Sequence, residues 1–168
     1  MASEVDLDVL RFSRAEEFTM LARIGIAAMG GALIGFERRQ AGKSAGMRTL
    51  MLVSMGAALF TLVSIFGFQD HDPSRVASGV VAGVGFLGAG AILRDGRSVR
   101  GLTTAASVWV SAAVGAAAGT GLYIVALGTA LLAVFVMWLW PHDVPELGDG
   151  EDTEDPPVEG ASPGQARP

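Results

Sequence analysis

Residues 102–140 read LTTAASVWVSAAVGAAAGTGLYIVALGTALLAVFVMWLW, without one charged side chain. A helix crossing the hydrocarbon core of a bilayer needs about 20 mostly apolar residues, and this stretch is long enough for two. Thr120 and Gly121 divide it, so residues 102–119 and 122–140 are expected to form a tight helical hairpin. Trp138 and Trp140 lie where indole rings anchor at a membrane interface, and Pro141 then ends the helix. Three further apolar stretches precede this pair: 18–36, broken only by Arg23, then 47–68, then 76–93. Asp72 and Pro73 ahead of the third stretch supply a favoured N-cap and a favoured first helical residue. Five such runs in succession leave no amphipathic faces for water. The expected fold is an all-α membrane protein of five transmembrane helices with short loops.

The composition agrees. Hydrophobic residues make up 51 % of the chain and charged residues 17 %, with a mean hydropathy of +0.46, against about 25 % charged in ordinary soluble domains. The net charge of −5 is unevenly placed: residues 143–168 hold eight of the acids and a single base, Arg167. With five prolines and few large apolar residues, that segment cannot bury enough surface to fold alone, and it reads as a disordered acidic tail. Residues 1–17 mix acids and apolar residues without the basic start and short apolar run of a cleavable signal. They read as a lead-in whose Arg11, Phe12 and Arg14 touch headgroups.

The loop after the first span carries Arg38, Arg39, Lys43 and Arg48, and the loop after the third carries Arg94, Arg97 and Arg100. These fall on one side, opposite Arg11, Arg14 and Arg75. The positive-inside rule places the richer side in the cytoplasm, with the N-terminus outside and the C-terminal tail inside.

The third span holds Gly79, Gly83, Gly85, Gly88 and Gly90. Gly83, Gly85 and Gly88 spell G-x-G-x-x-G, but a dinucleotide site needs a strand, a turn and a helix start in one βαβ unit, and nothing of that kind surrounds them. Small residues four apart let membrane helices approach closely. Gly79 with Gly83, Gly31 with Gly35 and Gly115 with Gly119 are such pairs, so helix packing is the expectation for all of them, and a narrow pathway or partner groove along the third helix is the sharper alternative. Arg23 is expected to snorkel outward towards Glu16 or Glu17. Glu37, Arg38 and Arg48 should lie near one another at the inner face as an interfacial ion pair.

No acid lies mid-span, whereas coupled transporters and proton relays place ionisable groups at that depth. The only acids positioned for a cation are Asp70 and Asp72 outside and Glu37 and Asp95 inside; Asp95-Gly96 reads as the turn joining the third and fourth helices. Ser54, Thr61, Ser64, Ser78, Thr103, Thr104, Ser107 and Ser111 give the spans their hydroxyls, expected to bond carbonyls of the same or neighbouring helices. The chain has no cysteine and no P-loop, and its histidines, His71 and His142, fall on opposite sides of the membrane. No metal site, cofactor or enzymatic activity is expected, and no nucleic-acid partner.

The segment DPSRVASGVVAGVGFLGAGAILRDGRSVRGLTTAASVW (72–109), with LIGFERR (33–39) and MRTLMLVSMGAALF (47–60) ahead of it, resembles the MgtC/SapB family of bacterial inner-membrane proteins. The resemblance runs over roughly residues 18–140 and implies five membrane helices with a cytoplasmic C-terminus. It also implies a link to growth under Mg²⁺ limitation and, in pathogens, to survival in macrophages. Action through other membrane proteins, the proton-translocating ATP synthase among them, is implied too. On the family motif, the functional positions are Glu37, Arg38, Arg48, Asp72, Arg75, the glycines of the third helix, Asp95, Arg100, Thr103 and Thr104. Well-known members carry Asn near Thr103, Glu near Asp95 and a Cys where this chain has Val110, and many carry a folded cytoplasmic C-terminal domain where this chain has its acidic tail. The function expected is that of a non-enzymatic regulator at low Mg²⁺, acting by helix packing against partner membrane proteins or a second copy of itself. The alternative is a small Mg²⁺ transporter or channel subunit.

Overall fold

A computed structural model describes residues 12–67, 72, 74–95 and 98–139. Expectations resting on residues 1–11, on Asp70, His71, Pro73, Gly96 and Arg97, and on everything from Trp140 through the acidic tail lie outside the described residues.

Five helices follow one another: α1 (Arg14–Gln40), α2 (Met47–Phe66), α3 (Ser74–Gly90), α4 (Leu102–Thr120) and α5 (Tyr123–Leu139). Two short strands, β1 (Leu93–Asp95) and β2 (Ser98–Arg100), pair antiparallel between α3 and α4. Among the described residues α1, α2 and α4 are long and apolar enough to cross a membrane; α3 and α5 are apolar helices of 17 residues each. The five expected helices are present, and three of them reach the length and composition of a span. The third falls short because its helix stops at Gly90, three residues before the apolar run does, and Leu93 belongs to a strand. The first helix is longer than expected and absorbs part of the lead-in. Ser13 caps it, accepting from the Glu16 N–H while the Glu16 carboxylate accepts from the Ser13 N–H at 2.7 Å, the reciprocal arrangement of a capping box.

Tight turns fix the order of passes. Gly121 has φ +95°, its N–H bonds the Ala118 carbonyl, and the Leu122 N–H bonds that of Ala117. This Schellman closure needs a residue at ease in the left-handed region, and it reverses the chain between α4 and α5 as the Thr-Gly pair predicts. Gly101, at φ +90°, ends β2 and opens α4; a Cβ there would run into the Ala91 carbonyl.

The helices alternate in direction. Gly31 and Gly35 of α1 pass the backbone of α2 at Leu50 and Met47, so these two run antiparallel. Ser111, Gly115 and Gly119 of α4 meet Leu50, Ser54 and Ala58 of α2 in matched steps of four, so α2 and α4 run parallel. Each contact brings backbone against backbone. A Cβ at Gly31 would sit 2.5 Å from the Leu50 oxygen, and one at Gly115 would collide with the Ser54 carbonyl. Hydroxyls finish the seams: Ser54 donates to the Ala27 carbonyl of α1 at 2.7 Å, and Ser111 donates to the Leu50 carbonyl of α2 at 2.8 Å. Helix α5 closes over α1 and α4, while α3 leans on α4 and only lightly on α2.

The core of this bundle is made of small residues, with Ala27, Ala58, Ala118, Ala126 and Ala130 fully buried. The large apolar side chains point outward: Phe86 is 81 % exposed, Ile124 90 % and Trp138 73 %. Soluble monomers rarely show apolar patches larger than a few hundred Å², whereas helices packed through small residues with bulky ones facing out suit hydrocarbon as solvent. The surface is that of a membrane protein.

Arg23 departs from its expected course. It does not turn to Glu16 or Glu17; its Nη1 donates to the Gly119 carbonyl at 2.9 Å, its guanidinium lies 5.9 Å from the centre of the Phe66 ring, and its Nε is buried without a hydrogen-bond partner. The last carbonyls of α4 have no partner within their own helix, and a cation there also meets the negative end of the helix dipole, so the pull of α4 exceeds that of exposed acids. Arg23→Leu is expected to lower stability by about 1.5 kcal/mol, the scale of a hydrogen bond to a charged group. Thermal unfolding in detergent checks this, and an unchanged midpoint would count against the cap.

Candidate functional site

The end of the bundle where α1 and α3 finish and α2 and α4 begin gathers most of the residues singled out in the sequence. Glu37 and Arg38 are adjacent in the last turns of α1, and the Arg38 Nη2 donates to Glu37 Oε1 at 2.6 Å while its Nε donates to Oε2. Arg38 is fully buried and Glu37 only partly so. The fork of two parallel N–H donors suits a carboxylate, and Arg38 makes further contact within the molecule. Arg48 stands in the first turn of α2, at the same end as the pair, but it is exposed and no ion pair joins it to Glu37 among the described residues. Thr104 is buried and its carbonyl accepts from Ser107 Oγ at 2.8 Å; Thr103 is exposed. Arg100 is exposed on β2, opposite Leu93, and Asp95 pairs with Ser98 at the tip.

The hairpin itself is what sequence reasoning missed. Asp95-Gly96 reads as a turn between helices, but the signal for strands is there: Gly96 is the first of two residues linking β1 to β2, the composition of the shortest hairpins. An apolar run continuing to Leu93 masks it.

At the opposite end Asp72 starts α3. Its carboxylate accepts from the Ser74 N–H at 2.9 Å and from the Ser74 hydroxyl at 2.7 Å. Both bonds favour the ionised form and hold the carboxyl below its ordinary value of 3.8. A group whose folded value is lowered stabilises above its unfolded value, and that contribution is lost as the pH falls through the folded value. The start of α3 is therefore expected to hold from neutral pH to about pH 4 and to fray below it. An NMR titration of Asp72 with amide exchange at Ser74 checks this; an ordinary Asp72 midpoint would refute it. Arg75, next in the helix, is exposed, and it lies at the far end from Glu37, Arg38, Arg48 and Arg100.

The glycines divide sharply. Gly31, Gly35, Gly115 and Gly119 are packed against backbone, whereas around Gly79, Gly83, Gly85 and Gly90 a Cβ would meet nothing within 4 Å. Gly88 alone on α3 faces a neighbour, Ala105, at ordinary contact distance. Close packing against a neighbouring helix is therefore absent at Gly79, Gly83, Gly85 and Gly90, because α3 is peripheral and buries only Val84 and Gly88. Gly79 and Gly83 instead border an apolar groove of about 620 Å³ between α2 and α3, walled on the other side by Gly56 and Phe60. Among the described residues no group of three or more His, Asp or Glu is placed to hold a metal ion.

Residues 24–142 match the sequence profile of the MgtC family. The chain is 45 % identical over 125 residues to an Escherichia coli K12 protein named putative magnesium transporter YhiD, a match covering 70 % of this chain and 58 % of that protein. It is 53 % identical over 92 residues to protein MgtC of Brucella abortus strain 2308, covering 55 % of this chain and 39 % of that one. It is 44 % identical over 115 residues to protein MgtC of Salmonella typhimurium 14028s, covering 68 % and 49 %. The chain spans about half the length of these curated relatives. No solved structure matches it. With the profile aligned to most of the chain, from the middle of α1 to beyond the end of α5, the protein belongs to the MgtC family.

Proposed function

We propose that the chain is a regulator of growth at low Mg²⁺ that works in the bacterial inner membrane by docking the open face of α3 against other integral membrane proteins. The observation that carries this is the contrast between glycines: Gly31, Gly35, Gly115 and Gly119 are filled by neighbouring helices, while Gly79 and Gly83 line an apolar groove between α2 and α3 with nothing within 4 Å of their Cβ positions. In this reading all five helices cross the bilayer. At 1.5 Å per residue α3 and α5 are about 25 Å long, near the shorter limit for a span. The arginine-rich end lies in the cytoplasm, the N-terminus outside and the C-terminus inside. The protein is not an enzyme and needs no cofactor.

The test places a photocrosslinking residue at Phe86 or Leu87 on α3, and at Ile124 on α5 as a control, in intact cells. Adducts to a membrane protein or a second copy, formed from α3 and not from α5, support the reading. Adducts to lipid alone from all three sites would sink it. The E. coli relative's printed name favours a second reading, a small Mg²⁺ transporter or channel subunit. Mg²⁺ flux into proteoliposomes, lost on Asp72→Ala or Asp95→Ala, would establish it in place of the first.

A further inference from the structure

The β1–β2 ribbon is oddly made for either water or hydrocarbon. Leu93 is paired with Arg100, and Arg94 with Val99. Cross-strand partners share a face and successive residues alternate faces, so each face of the ribbon carries one arginine beside one aliphatic side chain. All four are exposed, Leu93 at 68 % and Val99 at 45 %. Neither face can be buried in the acyl core without burying a charge, and neither can meet water without exposing Leu93 or Val99. The headgroup layer of a bilayer satisfies both, because aliphatic stems sink while guanidiniums reach phosphates.

We propose that this hairpin is a binding element for anionic phospholipid, its two arginines on headgroup phosphate and Leu93 and Val99 seated at the top of the acyl chains. Charge complementarity selects the occupant. At the same end of the bundle Arg39 and Arg48 are exposed, whereas Glu37 is already engaged by Arg38. Arg94 and Arg100 each make a contact within the molecule, and a guanidinium with its fork of five N–H donors can serve more than one acceptor at once. The inference stands apart from the docking of α3, since it concerns a different element and a lipid partner.

The chain has no cysteine, so a Val99→Cys variant takes a single bimane label. In nanodiscs, the label is expected to be quenched by lipids brominated near the glycerol end of the acyl chain and shielded from aqueous iodide; quenching by iodide alone would overturn the proposal. In detergent, titration with phosphatidylglycerol should show affinity reduced on the order of tenfold in R94Q/R100Q and largely kept in R39Q/R48Q. Equal losses in the two variants would reveal a diffuse field at that end of the bundle and overturn a hairpin site. Displacement of the lipid by glycerol 3-phosphate would do the same, pointing to a soluble phosphate ligand. Should R94Q/R100Q fail to fold, the depth of the label on the otherwise unaltered chain decides the matter alone.

Discussion

Gly115→Ala is expected to destabilise the detergent-solubilised protein by about 3 kcal/mol, the upper part of the range for overpacking a well-filled interior. The new methyl would strike the Ser54 carbonyl and lie 2.8 Å from the Ser54 Cα. Backbone on a helix cannot swing aside as a long side chain can, so α2 and α4 must move apart. That separation also pulls Ser111 from the Leu50 carbonyl. Gly83→Ala is the matched control: no atom lies within 4 Å of its Cβ position, and alanine favours a helix over glycine by up to about 1 kcal/mol. It should leave the melting midpoint unchanged or raise it slightly. If the two variants lost stability alike, the groove face of α3 would have to be packed after all, and the docking surface would vanish with it.

Arg38→Ala ranks beside it. The side chain is fully buried and Glu37 is 18 % exposed, so truncation leaves a largely desolvated carboxylate without its fork of donors. Breaking such a pair costs about 3 kcal/mol or more. Lysine should restore little, because a compact ammonium cannot reproduce two parallel N–H bonds. Arg39→Ala and Arg48→Ala, at exposed sites in the same region, should stay within about 0.5 kcal/mol of the parent. Guanidinium denaturation of the four variants in one detergent gives the comparison; an Arg38→Ala midpoint indistinguishable from that of Arg39→Ala would refute the assignment.

The helical plan could be read from residues alone because apolar length is a property of a single segment. The α4–α5 reversal was equally legible, since Thr-Gly between two uncharged runs leaves few other closures. What could not be read was which glycines have neighbours. Gly79 and Gly83 share the spacing of Gly115 and Gly119, yet one pair faces open space and the other backbone. That distinction depends on where α3 sits, and position around a bundle is not encoded in spacing along one helix. Arg23 was misjudged for a similar reason: nearby acids are visible in sequence, whereas the Gly119 carbonyl lies 96 residues away and is a backbone group. The hairpin was hidden because apolar residues continue past the last turn of α3 into β1.

The matched four-residue steps between α2 and α4 make their contact behave like a ratchet. Leu50, Ser54 and Ala58 face Ser111, Gly115 and Gly119 in turn. A slip of one residue presents alanine or valine methyls where a carbonyl now finds glycine or a hydroxyl. The next comparable alignment lies a full four residues on, about 6 Å along the axis. Small sliding motions between these two helices are thus barred at the centre of the bundle, and α3, the helix held least by the rest, is the element left with room to tilt.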